Sequence, residues 1–301
     1  MTSLSIAILG DPRGWHARRL LEAANQRGHS ASIVPWETMG TEVVTGGSTA
    51  EERFEPPALT AAEVIVVRGM PGASLRDRPG GGLEEILFRM NLLGRLEASG
   101  RRVVNRPRSL EIAIDKHLSL ALLARAGIPV PRTILAQTPG GIRAAWESLG
   151  RDAVVKPLFG SGGHGLRRLT HEGELETLLA SHRDGDVVFL QEFVRHPGWD
   201  VRALVIGGAV HTMRRSAAPG EWRTNLALGG RGTPFRVPAA WTDLALRASI
   251  TIGTDVAGID LLPMPDGSAV VCEVNAVPGW RGLSSALGFD PAINVIGFLE
   301  G

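Results

Sequence analysis

The sequence predicts an α/β protein in which a Rossmann-like N-terminal unit precedes two mixed α+β units. Short apolar runs alternate with helical patterns from the start of the chain, and 38 glycines in 301 residues mark the ends of many of these patterns. Strands that alternate with helices are typical of a parallel sheet covered by helices. Glycine accumulates where the backbone turns sharply or approaches a ligand closely.

The first unit, residues 1–105, has the alternation expected of a parallel sheet. Its strands are short apolar runs, and its first helix repeats alanine and leucine at helical spacing until Gly28 ends it. The segment from Gly40 to Pro57 is rich in Gly, Thr, Glu and Pro, and we expect a loop there. The predicted elements are the strands Ser5–Leu9, Ser32–Val34, Val64–Val67 and Arg102–Asn105 and the helices His16–Arg27 and Leu83–Ala98.

The second unit, residues 106–188, and the third unit, residues 189–301, continue with mixed elements. In the second unit we expect helices at Ile112–Ala126, Gly141–Leu149 and Glu172–Ser181 and strands at Arg132–Ala136, Ala153–Lys156 and Leu166–Leu169. In the third we expect strands at Val187–Gln191, Val201–Ile206, Ala209–Arg214, Gly258–Leu262 and Ala269–Glu273 and a helix at Asp243–Thr254. The turn Pro265–Gly267 would join the last two strands as a hairpin.

Composition excludes several classes of protein. Lysine plus arginine is 32 and aspartate plus glutamate is 31, so nothing favours a nucleic-acid binder, which needs a basic surface. The single cysteine, Cys272, excludes an internal disulfide and a cysteine-built zinc site, and its apolar neighbours predict a buried small side chain. No secretion signal and no apolar run of roughly 20 residues is evident, so we expect a cytoplasmic protein without a membrane span.

A glycine-rich segment follows one predicted strand. The strand ends at Lys156, and four glycines then occur within six residues, from Gly160 to Gly165. Such a loop can present successive backbone N–H groups to phosphate oxygens, while the lysine adds a positive charge. The lysine precedes the glycines, so the segment is neither a Walker A loop nor a dinucleotide fingerprint. A flexible hairpin without a ligand is the alternative.

Acidic and amide side chains lie near the ends of the last two strands. Glu273 and Asn275 are two residues apart and therefore share a face of their strand. If the two strands pair, Asp260 reaches the same face. Two carboxylates and an amide oxygen suit a hard cation such as Mg²⁺. The alternative is a set of solvated acids at strand ends.

Arginines between these two motifs form a third signal. Arg202, Arg215 and Arg223 occupy separate strands and a polar loop, and arginines near a phosphate loop can stabilise a transferring phosphoryl group. Surface arginines are common, so each one alone is weak evidence.

Taken in order, these segments resemble the ATP-grasp superfamily and, within it, the RimK-type ligases that join glutamate or similar amino acids to a carboxylate. The resemblance covers about residues 105–285. Its motifs are Asp115-Lys116, Ala126-Gly127-Ile128-Pro129, Val155-Lys156-Pro157 with the glycine loop, Leu190-Gln191-Glu192-Phe193, Asp200-Val201-Arg202, Arg223-Thr224-Asn225, Gly258-Ile259-Asp260 and Glu273-Val274-Asn275.

The resemblance implies a Rossmann-like domain followed by two subdomains that clamp ATP, and a role for each matched residue. Lys116, Lys156 and the loop residues Gly160, Ser161, Gly162 and Gly163 would contact the phosphates. Gln191, Glu192 and Phe193 would lie in the segment that holds adenine, with Asp200 near the nucleoside. Asp260, Glu273 and Asn275 would bind Mg²⁺, with Mn²⁺ as the alternative ion. Arg202, Arg215, Arg223 and Asn225 would face the phosphoryl group and the acyl phosphate.

The reaction that the resemblance implies is an ATP-dependent ligation of a carboxylate to an amine. A substrate carboxylate attacks the γ-phosphorus, and an amine then captures the acyl phosphate to form an amide. Glutamate is the expected amino acid and a small cofactor-like or metabolite carboxylate the expected acceptor. A protein C-terminus, a carrier protein, an ATP-grasp kinase and a nucleotide-binding regulator without turnover are the alternatives, and homo-oligomerisation stays open.

Two departures from the family pattern concern the substrate rather than the ATP chemistry. Many relatives carry a basic residue just before the paired glycines, where this chain has Leu228 before Gly229. Relatives that modify a ribosomal protein have an acidic residue where this chain continues Trp280-Arg281. Trp15 and His16, which follow the first strand, mark either an acceptor pocket or an ordinary helix start.

Overall fold

The computed structural model describes residues 2–46, 49–69, 82–158, 163 and 165–301. Its strands are β1 (Ser5–Leu9), β2 (Ser30–Val34), β3 (Gly40–Gly46), β4 (Thr49–Glu55), β5 (Val64–Val67), β6 (Arg102–Val104), β7 (Thr133–Ala136), β8 (Ala153–Lys156), β9 (Arg167–Leu169), β10 (Val188–Glu192), β11 (Trp199–Ile206), β12 (Ala209–Ser216), β13 (Arg231–Pro234), β14 (Val256–Pro263) and β15 (Ala269–Asn275). Its helices are α1 (Trp15–Gln26), α2 (Pro57–Ala61), α3 (Gly82–Ala98), α4 (Pro107–Ile114), α5 (Lys116–Arg125), α6 (Pro139–Ser148), α7 (Glu172–Ser181), α8 (Ala239–Ile252), α9 (Arg281–Leu287) and α10 (Pro291–Leu299).

The first sheet is parallel, with the strand order β2-β1-β5-β6, as the alternation of strands and helices predicts. The loop expected between Gly40 and Pro57 is wrong, because β3 and β4 pair there as an antiparallel hairpin. The polar composition concealed the β-branched Thr41 and Val43, which favour a strand. Phe54, which is 5% exposed, anchors the hairpin to the core of the first sheet.

The single helix expected at Ile112–Ala126 is also wrong, because two helices meet at Asp115. The carboxylate of Asp115 accepts hydrogen bonds from the backbone N–H groups of His117 (3.0 Å) and Leu118 (2.9 Å). This side chain caps the start of α5, and a capping aspartate is more stable at a helix start than inside a helix. The break places Lys116 in the first turn of α5.

The second sheet has the order β7-β10-β8-β9 and is antiparallel throughout. We expected β10 among the strands of the third unit, but β10 pairs with both β7 and β8. Helices α6 and α7 cover this sheet and share with it a separate hydrophobic core. The unit boundaries after residues 105 and 188 stay a prediction.

The third sheet has the order β13-β12-β11-β14-β15 and has two different faces. On one face, alternate residues of β11 and β14 pack against α5 and α8. On the other face, Leu204, Ile206 and Val256 share a core with α1, β1 and α10. The N-terminal unit and the third sheet are therefore joined by common packing.

Buried Asn105 strengthens this junction. Its amide nitrogen donates to the carbonyls of Val256 (2.7 Å) and Ala276 (2.6 Å), and its oxygen accepts from the N–H groups of Asp255 and Val256. An amide that is 2% exposed and satisfied at both ends fixes one relative position of the segments it joins.

Helices α9 and α10 were not predicted, although the signal for α10 is readable. Asp290 caps α10 and Pro291 occupies its first turn, a common start for a helix. Within the described ranges, no single helix is long and apolar enough to span a membrane; the sharply bent pair α9 and α10 meets that criterion only when both are taken together.

Candidate active site

A cleft opens between the second and third sheets. Chain segments more than a hundred residues apart converge on it. The expected site residues that line it are Lys116, Lys156, Gly163, Gln191, Glu192, Phe193, Asp200, Arg215, Arg223, Asn225, Asp260 and Glu273. Arg202 and Asn275 lie outside its lining, and Gly160, Ser161 and Gly162 lie outside the described residues.

The third sheet contributes a connected row of buried ions. The register places Asp200 opposite Arg215 and Arg202 opposite Asp260. Arg215 Nε donates to Asp200 Oδ1 (2.8 Å), and Arg215 Nη2 lies 2.9 Å from Asp260 Oδ2. Arg202 grips the same carboxylate of Asp260 with two nitrogens, at 2.5 and 3.2 Å. Arg202 thus holds Asp260 from a position outside the cleft lining.

Burial and neighbouring charges shift the pKa values of Asp260 and Arg215 in opposite directions. Burial by itself would raise the pKa of Asp260, but Arg202 and Arg215 outweigh it and hold the pKa below its usual value. Burial would lower the pKa of Arg215, and the carboxylates of Asp260 and Asp200 raise it instead. Asp260 and Arg215 therefore carry their charges at neutral pH.

A β-bulge on the last strand changes which side chains face the cleft. Asp260 pairs with Glu273 and the next residue, Leu261, pairs with Val271, so Cys272 is the extra residue. As a result Cys272 and Glu273 both line the cleft although they are consecutive. The prediction of a buried Cys272 is wrong, because strict alternation of side chains fails at a bulge; the thiol is half-buried.

The two lysines of the cleft are the only lysines in the sequence, in which the other basic residues are arginines. Lys116 Nζ donates to the carbonyl of Leu158 (3.3 Å) and lies 4.0 Å from a carboxylate oxygen of Glu273. Lys156 Nζ lies 3.3 Å from Cys272 Sγ. Burial, aided by the charge of Lys156 and opposed by Glu273, lowers the pKa of Lys116. Two clustered ammonium groups favour a polyanionic ligand.

The loop after β12 closes one side of the cleft against the end of the glycine loop. Arg223 Nη1 donates to the carbonyl of Gly163 (3.4 Å), and its Nη2 pairs with Glu221. The pKa of Glu221 falls to about 2, chiefly through hydrogen bonds from Arg223. Gly163 has φ +77°, and an added Cβ would lie 2.7 Å from Asn225 Cγ. Only glycine fits this close approach.

Part of the cleft wall is aromatic. Phe193 meets Trp222 edge to face with ring centroids 5.7 Å apart, and the guanidinium of Arg168 covers the ring of Phe193. Glu192 Oε1 accepts from the N–H of Arg132 (2.8 Å), which ties the end of β10 to the start of the second sheet. A flat, partly aromatic pocket of this kind suits a nucleobase.

Sequence reasoning missed several residues of this cleft. Trp222, His196 and Leu262 line it, and none of them belongs to a motif that we used. Trp222 is the one with a readable signal, because a tryptophan in a polar loop beside a suspected arginine is unusual. His196 Nδ1 is buried and has no hydrogen-bond partner among the described residues, and burial lowers the pKa of its ring.

The acidic edge of the cleft retains oxygen lone pairs that fit a magnesium ion. An ionised carboxylate has about four acceptor positions. The arginines occupy three of those on Asp260, and Glu273 is 37% exposed. Asn275 Oδ1 accepts from the N–H of Val277 (3.0 Å) and keeps one position. No three His, Cys, Asp or Glu side chains form a metal-binding group in the described part of the chain.

Comparisons with known proteins agree with this geometry. Residues 113–299, more than half of the chain, match the family described as the RimK-like ATP-grasp domain. The tetrahydromethanopterin:alpha-L-glutamate ligase of Methanosarcina acetivorans is 32% identical over 330 residues, which cover 100% of this chain and 99% of that protein. A probable alpha-L-glutamate ligase of Thioalkalivibrio sulfidiphilus is 32% identical over 99% of this chain and 95% of its own length.

Solved structures share the fold over nearly the whole chain. The ATP-grasp ligase PsnB, solved with a minimal precursor, has a TM-score of 0.77 at 24% identity and covers 99% of both chains. The RimK domain ATP-grasp protein of Sphaerobacter thermophilus has a TM-score of 0.71 at 24% identity, covering 98% of this chain and 99% of its own. Members of this family use ATP and Mg²⁺. The chain therefore belongs to the RimK-like ATP-grasp family and is an ATP-dependent carboxylate–amine ligase.

Proposed function

We propose that this ligase adds L-glutamate to a small cofactor-like carboxylate through an acyl phosphate. The observation that carries the proposal is the cleft itself, in which both lysines and Arg215 face the carboxylates of Asp260 and Glu273. Full-length relatives at 32% identity that are named alpha-L-glutamate ligases support glutamate as the amino acid.

In this proposal ATP lies along the cleft. The base lies at the aromatic part of the wall beside Phe193 and Trp222, and the phosphates extend towards Lys116 and Lys156. The edge formed by Asp260, Glu273 and Asn275 holds Mg²⁺, which neutralises phosphate charge when bound. Mn²⁺ is the alternative ion. The backbone N–H groups of the glycine-rich segment Gly160–Gly165 would contact the phosphates.

The chemistry needs positioned charge and no protein nucleophile. The substrate carboxylate oxygen attacks the γ-phosphorus, the bond to the bridging oxygen breaks, and ADP leaves. The amine nitrogen of glutamate then attacks the acyl carbon, phosphate leaves, and the amine loses a proton to form the amide. Arg215, fixed by Asp260, would stabilise the charge on the transferring group, with Arg223 and Asn225 on the loop side, and Arg202 would act through Asp260, which it holds.

The test is phosphate release from Mg-ATP by the full chain with L-glutamate and a panel of small carboxylates, with product masses read in parallel. We expect phosphate only when both substrates are present, and a product heavier by one glutamyl group. Release without a carboxylate, or no release with any pair, would contradict the proposal.

Two variations of the assay separate the alternatives. Hydroxylamine traps an acyl phosphate as a hydroxamate, and a kinase that phosphorylates another group gives none. Peptides that end in glutamate test a protein acceptor; they are a useful arm because structures of this fold include PsnB with its precursor peptide and the macrocyclase MdnC with its precursor peptide MdnA.

The organisation of the chain completes the proposal. We propose a domain of residues 1–105, a central subdomain of residues 106–188 and a C-terminal subdomain of residues 189–301. We also propose a cytoplasmic enzyme that acts on small molecules, binds no nucleic acid and does not enter a membrane. Sedimentation of the purified chain would settle whether it forms a homo-oligomer.

A further inference from the structure

A second cationic cluster lies outside the cleft, at the carboxyl edge of the first sheet. Arg68 directly follows β5, and His16 lies in the first turn of α1, which follows β1. Trp280 and Arg281 reach the same place from the end of β15. The carboxyl edge of a parallel sheet is where α/β proteins usually bind ligands. We call Arg68, His16, Trp280 and Arg281 the edge cluster.

Four contacts hold the edge cluster together. Arg68 Nη1 donates to the carbonyl of Pro278 (3.0 Å), and its guanidinium lies 4.5 Å from the ring centroid of Trp280. The ring of Trp280 meets that of His16 edge to face at 5.0 Å. The backbone N–H of Trp280 donates to His16 Nε2 (3.0 Å). The side chains are therefore fixed before any ligand arrives.

Two donors of the edge cluster are buried without an acceptor. Arg68 Nε and Trp280 Nε1 have no hydrogen-bond partner among the described residues. Trp280 is 1% exposed, so its indole N–H is withdrawn from water. A buried donor without a partner is costly and calls for an explanation, and one explanation is a ligand that supplies the acceptor.

The guanidinium of Arg68 has no carboxylate partner among the described residues, and burial lowers its pKa to about 10. Burial, followed by the charges of Arg68 and Arg281, lowers the pKa of His16 to about 4 against the opposing charge of Asp290, so the imidazole is neutral at physiological pH. Two guanidinium groups around a neutral imidazole favour an anion with acceptor oxygens.

A matched arginine at the other edge of the sheet lacks this feature. Arg102, at the start of β6, donates through Nη1 to the carbonyl of Leu299 (3.0 Å) and lies 4.8 Å from the ring centroid of Phe298. Arg102 bridges the same two parts of the chain with the same kind of contacts. None of its nitrogens is among the buried donors that lack a partner in the described ranges. An arginine can therefore join these two parts of the chain without a buried N–H group that lacks an acceptor, unlike Arg68.

The edge cluster borders the reacting end of the cleft. A Cβ added to Gly258 would lie 2.8 Å from Arg202 Nη1 and 3.0 Å from Pro278 Cβ. Pro278, which Arg68 holds, thus lies beside Arg202, which grips Asp260. Arg281 is exposed, so the outer side of the edge cluster meets solvent. A substrate that reacts beside Arg202 can extend to Arg68.

We propose that Arg68 and Trp280 bind a carboxylate group of a substrate, with Arg281 at the entrance and neutral His16 as the positioning residue for Trp280. This proposal rests on the ligase function proposed above and names the substrate subsite. The carboxylate belongs either to the incoming amino acid, whose carboxylates do not react, or to a second carboxylate of the acceptor, apart from the one that is phosphorylated.

The experiment compares Arg68→Met and Trp280→Phe with the control Arg102→Met. Binding of L-glutamate and of glutarate to the full chain with Mg-ADP is measured by calorimetry, and KM is measured for each substrate in turn. Trp280→Phe keeps an aromatic ring and removes the indole N–H together with part of the side-chain volume. We expect Arg68→Met to raise one dissociation constant or KM by about 10- to 100-fold, the range for a lost charge-assisted hydrogen bond.

The affected substrate identifies the source of the carboxylate. A change for glutamate assigns the amino acid to the edge cluster, and a change for the acceptor assigns the acceptor. Arg68→Lys should recover part of the loss, and the KM for ATP should stay unchanged in every variant. The proposal is overturned if Arg68→Met and Arg102→Met behave alike in all these measurements. An absence of amide product from the wild type would instead refute the ligase reaction, because the calorimetry needs no turnover.

Discussion

The two walls of the cleft differ in how their charged side chains are paired. On the third sheet, Asp200, Arg215, Asp260 and Arg202 compensate one another and are buried or nearly so. On the second sheet, Lys156 Nζ contacts a thiol rather than a carboxylate. The charged side chains of the third-sheet wall are paired with one another in the folded protein. The ammonium group of Lys156 on the second-sheet wall is available to an anionic ligand. Four predictions test this difference, from the largest effect to the smallest.

Asp260→Asn should disrupt the row of paired charges on the third sheet. The substitution leaves the guanidinium groups of Arg202 and Arg215 without their shared carboxylate, and loss of one partner of a buried pair costs about 3–5 kcal/mol. We expect the free energy of unfolding in urea to fall by about that amount and turnover to disappear. Asp243→Asn, at an exposed pair with Arg247, should change it by less than about 0.5 kcal/mol. Equal stabilities would show that the buried row does not support the fold.

Glu273→Gln should separate function from folding. The side chain is 37% exposed and lies 4.0 Å from Lys116, so the fold should survive. We expect kcat to fall by about 100-fold or more, because a metal ligand at the phosphates loses its charge. Turnover is measured over a range of Mg²⁺ concentrations, with Glu111→Gln, at an exposed pair, as the control. Unchanged turnover would exclude Glu273 from the metal site.

Gly163→Ala should disturb the contact between Gly163 and the loop that carries Arg223 and Asn225. Gly163 and Gly220 both have φ +77°, so alanine costs about 1–2 kcal/mol of backbone strain at either position. At Gly163 the new Cβ also meets Asn225, whereas nothing lies within 4 Å of it at Gly220. We expect the KM for ATP to rise about tenfold in Gly163→Ala only. A similar rise of the KM for ATP in Gly220→Ala would show that backbone strain alone causes the effect.

Lys116→Arg should move the alkaline limit of nucleotide binding. Burial lowers the pKa of Lys116, so its positive charge is lost at a lower pH than that of an ordinary lysine. The KM for ATP should therefore begin to rise below pH 10.5, and a guanidinium at the same position should shift that rise to higher pH. Identical pH profiles would show that Lys116 does not contact the nucleotide in its charged form.

Local patterns predicted the first sheet and part of the cleft, and the family resemblance supplied the other predicted residues, including Lys116, Glu192 and Phe193. Buried parallel strands are nearly continuous apolar runs, as in Val64–Val67, and glycines that need a positive φ mark the helix ends. The motifs on β8, β11, β14 and β15 carry their chemistry in consecutive residues. Local patterns of this kind do not depend on the rest of the fold.

The errors concern features that tertiary structure decides. Nothing local shows that Cys272 is the extra residue of a bulge, or that β10 completes the second sheet rather than the third. The edge cluster joins residues 16, 68 and 280, which meet only because α1 and α10 share one core. Contacts between such distant residues have no signature in a single sequence.

The scarcity of lysine gives this protein a chemical reporter of its own. Apart from the α-amino group, the two ammonium groups of the cleft are the only primary amines that an acylating reagent can attack. Mass spectrometry after brief labelling would therefore follow occupancy of the cleft without any engineered probe. Protection of both positions by Mg-ATP would report binding even in variants that no longer turn over.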